Sequence, residues 1–263
     1  MGGPMQCGSG AVHQAPTGAT GKDPRSVATA LKQLLARTEI IESRALVAVS
    51  DAVATFRILR LPKTATDQDV TALVSKELPL DPEKLATRWF DLSPRDDERV
   101  VYAAAWDRDL VKEAADAVRM AGLEPVVVEL KSVCVARVTP VGSCIVIDLT
   151  SEPVEIFLTH RYAPQVWHSV PAGAPVADNL ARAVAAPVRS VLRFYRRQNG
   201  QDLPASSPIL LSGEQALPVS ALDELAALVD HPVQLLPPPP RIPSGVRHAA
   251  YLTCLGLLMR RGG

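Results

Sequence analysis

Behind Asp23-Pro24, the apolar positions Val27, Ala30, Leu31, Leu34 and Leu35 recur at the period of a helix. An acid before proline is a helix-start signal, so a first amphipathic helix is expected to run to about Thr38. Two β-rich runs follow at 45–50 and 53–61, parted by a short polar turn and closed by Pro62, and they read as a hairpin. Thr66-Asp67 then caps a helix reaching Leu78, which Pro79 and Pro82 stop. A strand at 87–92, a charged turn at Asp96-Asp97-Glu98 and a strand at 99–106 precede the clearest helix in the chain. Asp107 caps it; Leu110, Val111, Ala114, Ala115, Val118 and Met120 fall near one face; Gly122 ends it. With a returning strand at 126–130, residues 44–131 hold two strand, helix, strand passages and form a small α+β module.

A second block begins with four apolar residues running into an acid, Cys144-Ile145-Val146-Ile147-Asp148. After the polar turn Leu149-Thr150-Ser151, apolar runs at 154–158 and 162–170 complete an expected three-stranded meander. A helix at about 176–198, a strand at 207–211, a helix at 217–229 and a strand at 233–236 follow. Pro237-Pro238-Pro239-Pro240 makes a stiff extended link. An apolar helix at 248–259 closes the chain, with Arg260 and Arg261 at the end where the helix dipole favours cations.

Asp148 is the candidate for chemistry, because a carboxylate at the exit of a buried strand sits where phosphate-binding and metal-positioning loops are built. Such a loop wraps backbone N–H groups around a phosphate and normally uses glycine; Thr150 and Pro153 stand here instead. Asp148 therefore reads either as a helix or turn cap at a strand end or as a catalytic or magnesium-positioning group. Arg182, Arg189, Arg193, Arg196 and Arg197 lie along one helix face, as a solvated surface or as a docking site for an acidic partner. Trp89-Phe90 and Trp106 are expected in the core, and their exposure would point to a groove for a partner peptide.

At 263 residues and 47% hydrophobic, the chain can bury a core as one large domain or two small ones. Basic and acidic residues balance at 28 each, so no overall field recruits nucleic acid or an anionic membrane. Aromatic residues at 4% also argue against base-stacking surfaces. Cys7, Cys134, Cys144 and Cys254 lack metal-ligand spacing and are expected as buried reduced thiols. The five histidines are scattered and take no chemical role. No apolar stretch reaches the roughly 20 residues that span a bilayer, and no basic segment leads into a hydrophobic core at the start, so a cytoplasmic protein is expected. Residues 1–22, mixed in Gly, Ser, Thr, Ala and Pro, read as a disordered lead.

Four segments carry a family likeness. Phe56-Arg57-Ile58-Leu59-Arg60-Leu61-Pro62 is a strand ending in a basic, Leu-Pro step, and Ala121-Gly122-Leu123-Glu124-Pro125 is a helix-to-strand turn. Arg189-Ser190-Val191-Leu192-Arg193-Phe194-Tyr195 belongs to a long helix, and residues 250–260 to a closing Gly-Leu-rich helix with a basic end. In this order they resemble the PilM family of type IV pilus and competence proteins, relatives of the FtsA division protein within the actin-like ATPase superfamily. The resemblance implies an α/β, actin-like (ribonuclease H-like) fold, N-terminally shortened. Residues 23–140 would be the remnant of the first subdomain with the small α+β module inserted at about 44–131, and residues 141–263 the second subdomain.

The departures from the family bear on nucleotide. Family members open with a strand and a glycine-containing phosphate hairpin, and this sequence shows no such strand ahead of Asp23. In the second hairpin Asp148 and Leu149 are kept, Thr150 replaces glycine and Pro153 removes an N–H donor. The adenosine turn Leu211-Ser212-Gly213-Glu214-Gln215 keeps one of the family's two or three glycines and adds an acid. Pro187 falls where relatives carry an acidic residue facing the nucleoside. Asp148, Thr150 and Gly213 are thus the candidate residues of degenerate nucleotide loops; no catalytic residue or metal ligand is assigned, and ATP with magnesium is expected to bind weakly or not at all. The implied function is a non-hydrolysing cytoplasmic scaffold, peripheral to the inner membrane, that binds the cytoplasmic tail of a PilN-like inner-membrane protein. It would contact membrane only through partners and bind no nucleic acid; self-association stays open. The tail would add along a strand edge or lie in a groove beside the small module. One alternative is an actin-like ATPase whose first phosphate loop is lost by truncation or a late start codon; another is an unrelated α/β protein with the same element order.

Overall fold

Helix α1 (Pro24–Ala36) opens on Asp23, whose carboxylate accepts hydrogen bonds from the backbone N–H of Arg25 and Ser26 at 3.0 and 3.3 Å. β1 (Arg44–Val49), a 3-10 turn (Asp51–Val53), β2 (Ala54–Pro62) and α2 (Asp67–Glu77) follow. Then come β3 (Leu85–Asp91), β4 (Glu98–Asp107), α3 (Arg108–Met120) and β5 (Glu124–Leu130). The second block holds α4 (Lys131–Val138), β6 (Cys144–Asp148), β7 (Glu155–His160), β8 (Ala163–Ser169) and α5 (Leu180–Asn199). It ends with β9 (Ile209–Ser212), α6 (Val219–Leu228), β10 (Val233–Leu235) and α7 (Leu252–Leu258). This computed structural model describes residues 23–38, 40–78, 81, 83–92, 98–150, 153–170, 180–213, 219–239 and 248–260. The lead at 1–22, the turn at Asp96-Asp97, the stops at Pro79 and Pro82, Glu214 and the terminal Arg261 lie outside the described residues.

The hairpin expected across 45–61 does not form. β1 pairs in parallel with β5, whereas β2 joins a separate antiparallel sheet of order β2-β4-β3. Asp51 sits at the point where the chain changes sheets; it is buried and tied to Ser132, so the turn leads β2 away from β1. In the small module, Val70, Val74 and Leu78 pack on Leu59, Leu61, Val101 and Ala103. Thr66 and Asp69 form a reciprocal cap on α2, with Asp69 accepting from the Thr66 N–H at 2.7 Å. Arg99 fastens the sheet to α2: its guanidinium reaches Asp91 and Asp67, each at 2.7 Å, and lies over the Trp89 ring.

The expected three-stranded meander is present as β6-β7-β8, and β9 and β10 add to it in parallel to give a five-stranded sheet of order β10-β9-β6-β7-β8. β6 and β7 are buried throughout, as strands covered on both faces must be. α5 packs on one face through Val184, Val188 and Tyr195, while α4 and α7 cover the other through Val135, Leu252 and Leu255. α7 meets α4 at Gly256, where an added Cβ would collide with the carbonyl of Cys134. Cys134 and Cys144 are buried free thiols that desolvation pushes up to about 12; Cys254 is exposed, contrary to expectation.

Candidate functional site

β6 delivers Asp148 to the mouth of the five-stranded sheet, and α4 brings Lys131 against it. Lys131 Nζ lies 2.8 Å from Asp148 Oδ2 and 2.5 Å from Glu155 Oε2, and the Trp167 indole N–H donates to Glu155 Oε1 at 2.8 Å. Burial alone would pull the Lys131 ammonium down, but the two carboxylates outweigh it and hold it above the usual lysine value. A lysine in the first turn of a helix opposes the dipole, so it needs such partners. The side chain of Leu130, the residue before α4, makes no capping hydrogen bond, and Asp51 supplies the cap from far along the chain. Its carboxylate accepts from the Ser132 backbone N–H at 2.8 Å and from the Ser132 hydroxyl. Desolvation raises Asp51 from 3.8 to about 6, against the hydrogen bonds from Ser132.

Asp148, Thr150 and Gly213 do come together. Asp148 pairs with Ser212 across β6 and β9, and an added Cβ on Gly213 would stand 2.8 Å from Leu149 Cβ. Among the described residues of these loops, the geometry offers no open cradle for a nucleotide with magnesium. A phosphate cradle needs free N–H groups, yet the Leu149 N–H donates to the Ser212 carbonyl at 2.7 Å and the Thr150 N–H to Asp148 Oδ1 at 3.0 Å. Asp148 Oδ1 also accepts from the Thr150 hydroxyl at 2.6 Å, while Oδ2 faces Lys131. Among the described residues no group of three or more His, Cys, Asp or Glu side chains is placed to hold a metal ion. Pro187 sits inside an unbroken α5.

The aromatic residues expected in the core lead to a second place. Phe90 is 47% exposed and, with the half-buried Trp106, lines a groove of about 500 Å³ between the small module and β5. Five consecutive residues of β5, Val126 to Leu130, form the other wall. Consecutive residues face one groove only along a strand edge, and that edge of β5 pairs with no strand among the described residues. Arg88, Arg137 and Arg260 rim the groove against one acid, Glu129. Arg137 grips Glu129 through both nitrogens, at 2.5 and 2.8 Å, and Arg260 approaches it at 3.3 Å. The α5 arginines are exposed, with Arg182 at 3.6 Å from Glu224 and Arg196 at 3.6 Å from Asp202.

Sequence reasoning passed over Lys131, Glu155 and Asp51. The one local signal was a lysine directly behind the apolar run 126–130, and its partners lie too far along the chain for spacing to reveal them.

Neither a family model nor a curated protein matches the chain. Among solved structures, the chain is similar to a PilM-PilN type IV pilus biogenesis complex, with a TM-score of 0.61 and 19% identity over 89% of this chain and 84% of that one. It is also similar to the cytoplasmic domain of EpsL, an inner-membrane component of the type II secretion system of Vibrio cholerae, with a TM-score of 0.51 and 14% identity over 89% and 82%. No helix among the described residues is long and apolar enough to cross a membrane. With its paired sheets, inserted module and Asp148 hairpin, the chain carries an α/β, actin-like fold of the PilM type.

Proposed function

We propose that this chain is a PilM-like scaffold of a type IV pilus or competence machine, and that it holds the cytoplasmic tail of a PilN-like inner-membrane protein without hydrolysing ATP. The supporting observation is the unpaired edge of β5 facing Phe90 and Trp106 across the groove. An extended tail pairs its backbone with β5 and seats alternate side chains against the aromatic wall. The surplus of Arg88, Arg137 and Arg260 over Glu129 selects a tail with acidic residues. Asp148 and Thr150 serve to lock the hairpin rather than to hold nucleotide, because their polar groups are engaged with one another and with Lys131, while Gly213 lets the neighbouring strand end pack against Leu149.

A fluorescent tail peptide from a PilN-like partner is titrated with the full chain, with and without ATP and magnesium. Equal affinity in both conditions is expected, and Phe90→Ala weakens it about tenfold or more. Binding that strictly required ATP would overturn the scaffold reading and favour the actin-like ATPase.

A further inference from the structure

A chain lying along the edge of β5 meets it with its backbone, and its successive side chains point alternately to opposite sides. On one side stands the small module, where Arg88 and Phe90 lie two residues apart on β3 and so share a face. The β4 neighbour of Arg88 is the small Ala104, which leaves room beside the arginine. On the other side, α4 and the end of α7 bring Val133, Arg137 and Arg260 to the groove.

The three arginines are not equivalent. Arg137 holds both oxygens of Glu129, at 2.5 and 2.8 Å, and also donates to the Gly256 carbonyl at 3.2 Å, so it braces β5 against α7. Glu129 is the one acid that lines the groove among the described residues, and Arg137 neutralises it. Arg260 touches Glu129 only through Nε, at 3.3 Å, and its side chain stays 46% exposed. Arg88 is exposed and forms no hydrogen bond or ion pair with a described residue. Two positive charges are left over, one on each side of a bound strand.

We infer that the groove selects a tail with two acidic residues at odd spacing, one or three positions apart, so that one carboxylate meets Arg260 on the helix side and the other meets Arg88 on the module side. An even spacing turns both carboxylates to the same side and leaves one arginine without a partner. The pair also fixes register, since a slip by one residue turns every side chain to the opposite side. Phe90 and Trp106 take the apolar side chains that share the module side with the second carboxylate. A guanidinium offers parallel N–H donors that match a carboxylate, but both arginines are partly solvated, so each pairing strengthens binding only about three- to fivefold. Such selectivity rests on the reading of the β5 groove as the tail site, and adds to it the charge pattern that the groove takes.

Fluorescent decapeptides of valine and threonine, which favour an extended backbone, are titrated against the full chain. They carry two glutamates one, two, three or four positions apart, a single glutamate, or none. Odd pairs are expected to bind about three- to fivefold tighter than the single glutamate, and even pairs no tighter than it. Arg88→Ala and Arg260→Ala each remove the advantage of odd spacing, as does about 1 M salt, where charges are screened beyond about 3 Å. Thermal melting checks that both variants stay folded. Arg260→Glu recovers tight binding when lysine replaces one particular glutamate of the pair and not the other, which tells the two sides apart. Even pairs that bind as well as odd pairs, or an odd advantage that survives both alanine variants, would overturn the inference. The glutamate-free peptide reports on the groove itself: binding that Phe90→Ala weakens upholds the tail site whatever the glutamates do, and failure of every peptide to bind sinks both readings.

Discussion

Replacing Lys131 with methionine keeps the apolar stem and deletes the ammonium that neutralises Asp148 and Glu155. Side-chain exposures of 15% for Lys131, 2% for Asp148 and 11% for Glu155 place the cluster in the regime where removing one partner strands a buried charge. Such breaks cost about 3–5 kcal/mol, and here two carboxylates are stranded together, with the Lys131 contact to the Phe157 ring lost as well. At about 2–4 °C per kcal/mol for a chain approaching this size, the melting temperature falls by roughly 6–20 °C. The two carboxylates, left side by side, disfavour each other's ionisation, so the folded variant takes up a proton that its unfolded form does not. Folding that binds a proton is favoured at lower pH; the deficit is full at pH 8 and shrinks towards pH 5. Urea unfolding at both pH values measures this, and adding Asp148→Asn and Glu155→Gln restores most of the loss. A Lys131→Met protein within about 1 kcal/mol of the parent at pH 8, with no pH dependence, would refute the reasoning.

Gly256→Ala drives a methyl group into the Cys134 carbonyl and forces α7 off α4, at a cost of about 1–3 kcal/mol or more, read as a lower urea midpoint. Gly213→Ala combines a φ of 143° with contact on Leu149, so it destabilises the protein by a comparable amount, whereas Gly200→Ala meets only the strain of its φ of 70° and loses less. Asp51 makes stability fall by about 3 kcal/mol as pH rises from near 4 to near 6, because its folded carboxyl, at about 6, holds a proton that the unfolded one has released. Asp51→Asn removes that slope, and an unchanged pH profile in the variant would disprove the assignment.

Most elements were legible because their signals are local. Asp23, Thr66 and Asp107 cap the helices they precede, and the apolar runs and polar turn of the Asp148 block gave its meander correctly. The exceptions depended on distant residues. The runs at 45–50 and 53–61 look like a hairpin because nothing between them says that Asp51 is committed to Ser132, or that β1 waits for β5 across the whole small module. Helix α4 was missed for the same reason: eight residues, no capping side chain ahead of it, and a cap arriving from Asp51. The loss of glycine at Thr150 could be read in sequence, but what Thr150 does instead, donating to Asp148, required the fold. Phe90 was misassigned because an aromatic in a strand signals burial equally well on either face, and only the sheet order reveals that one face looks into a groove.

The polar junction and the groove are mechanically adjacent. Leu130 lines the groove as the last residue of β5, and Lys131 follows it directly into the ion pairs with Asp148 and Glu155. Those ion pairs tie the two-stranded sheet to the five-stranded one with groups that belong to the chain, so the β5 edge is held in place without any bound ligand. A strand edge positioned this way is pre-ordered for an extended peptide, and pre-ordering lowers the cost of binding. Lys131→Met should therefore weaken tail binding as well as stability even though Lys131 lies outside the groove, while Lys112→Met, on the exposed face of α3, should leave both unchanged.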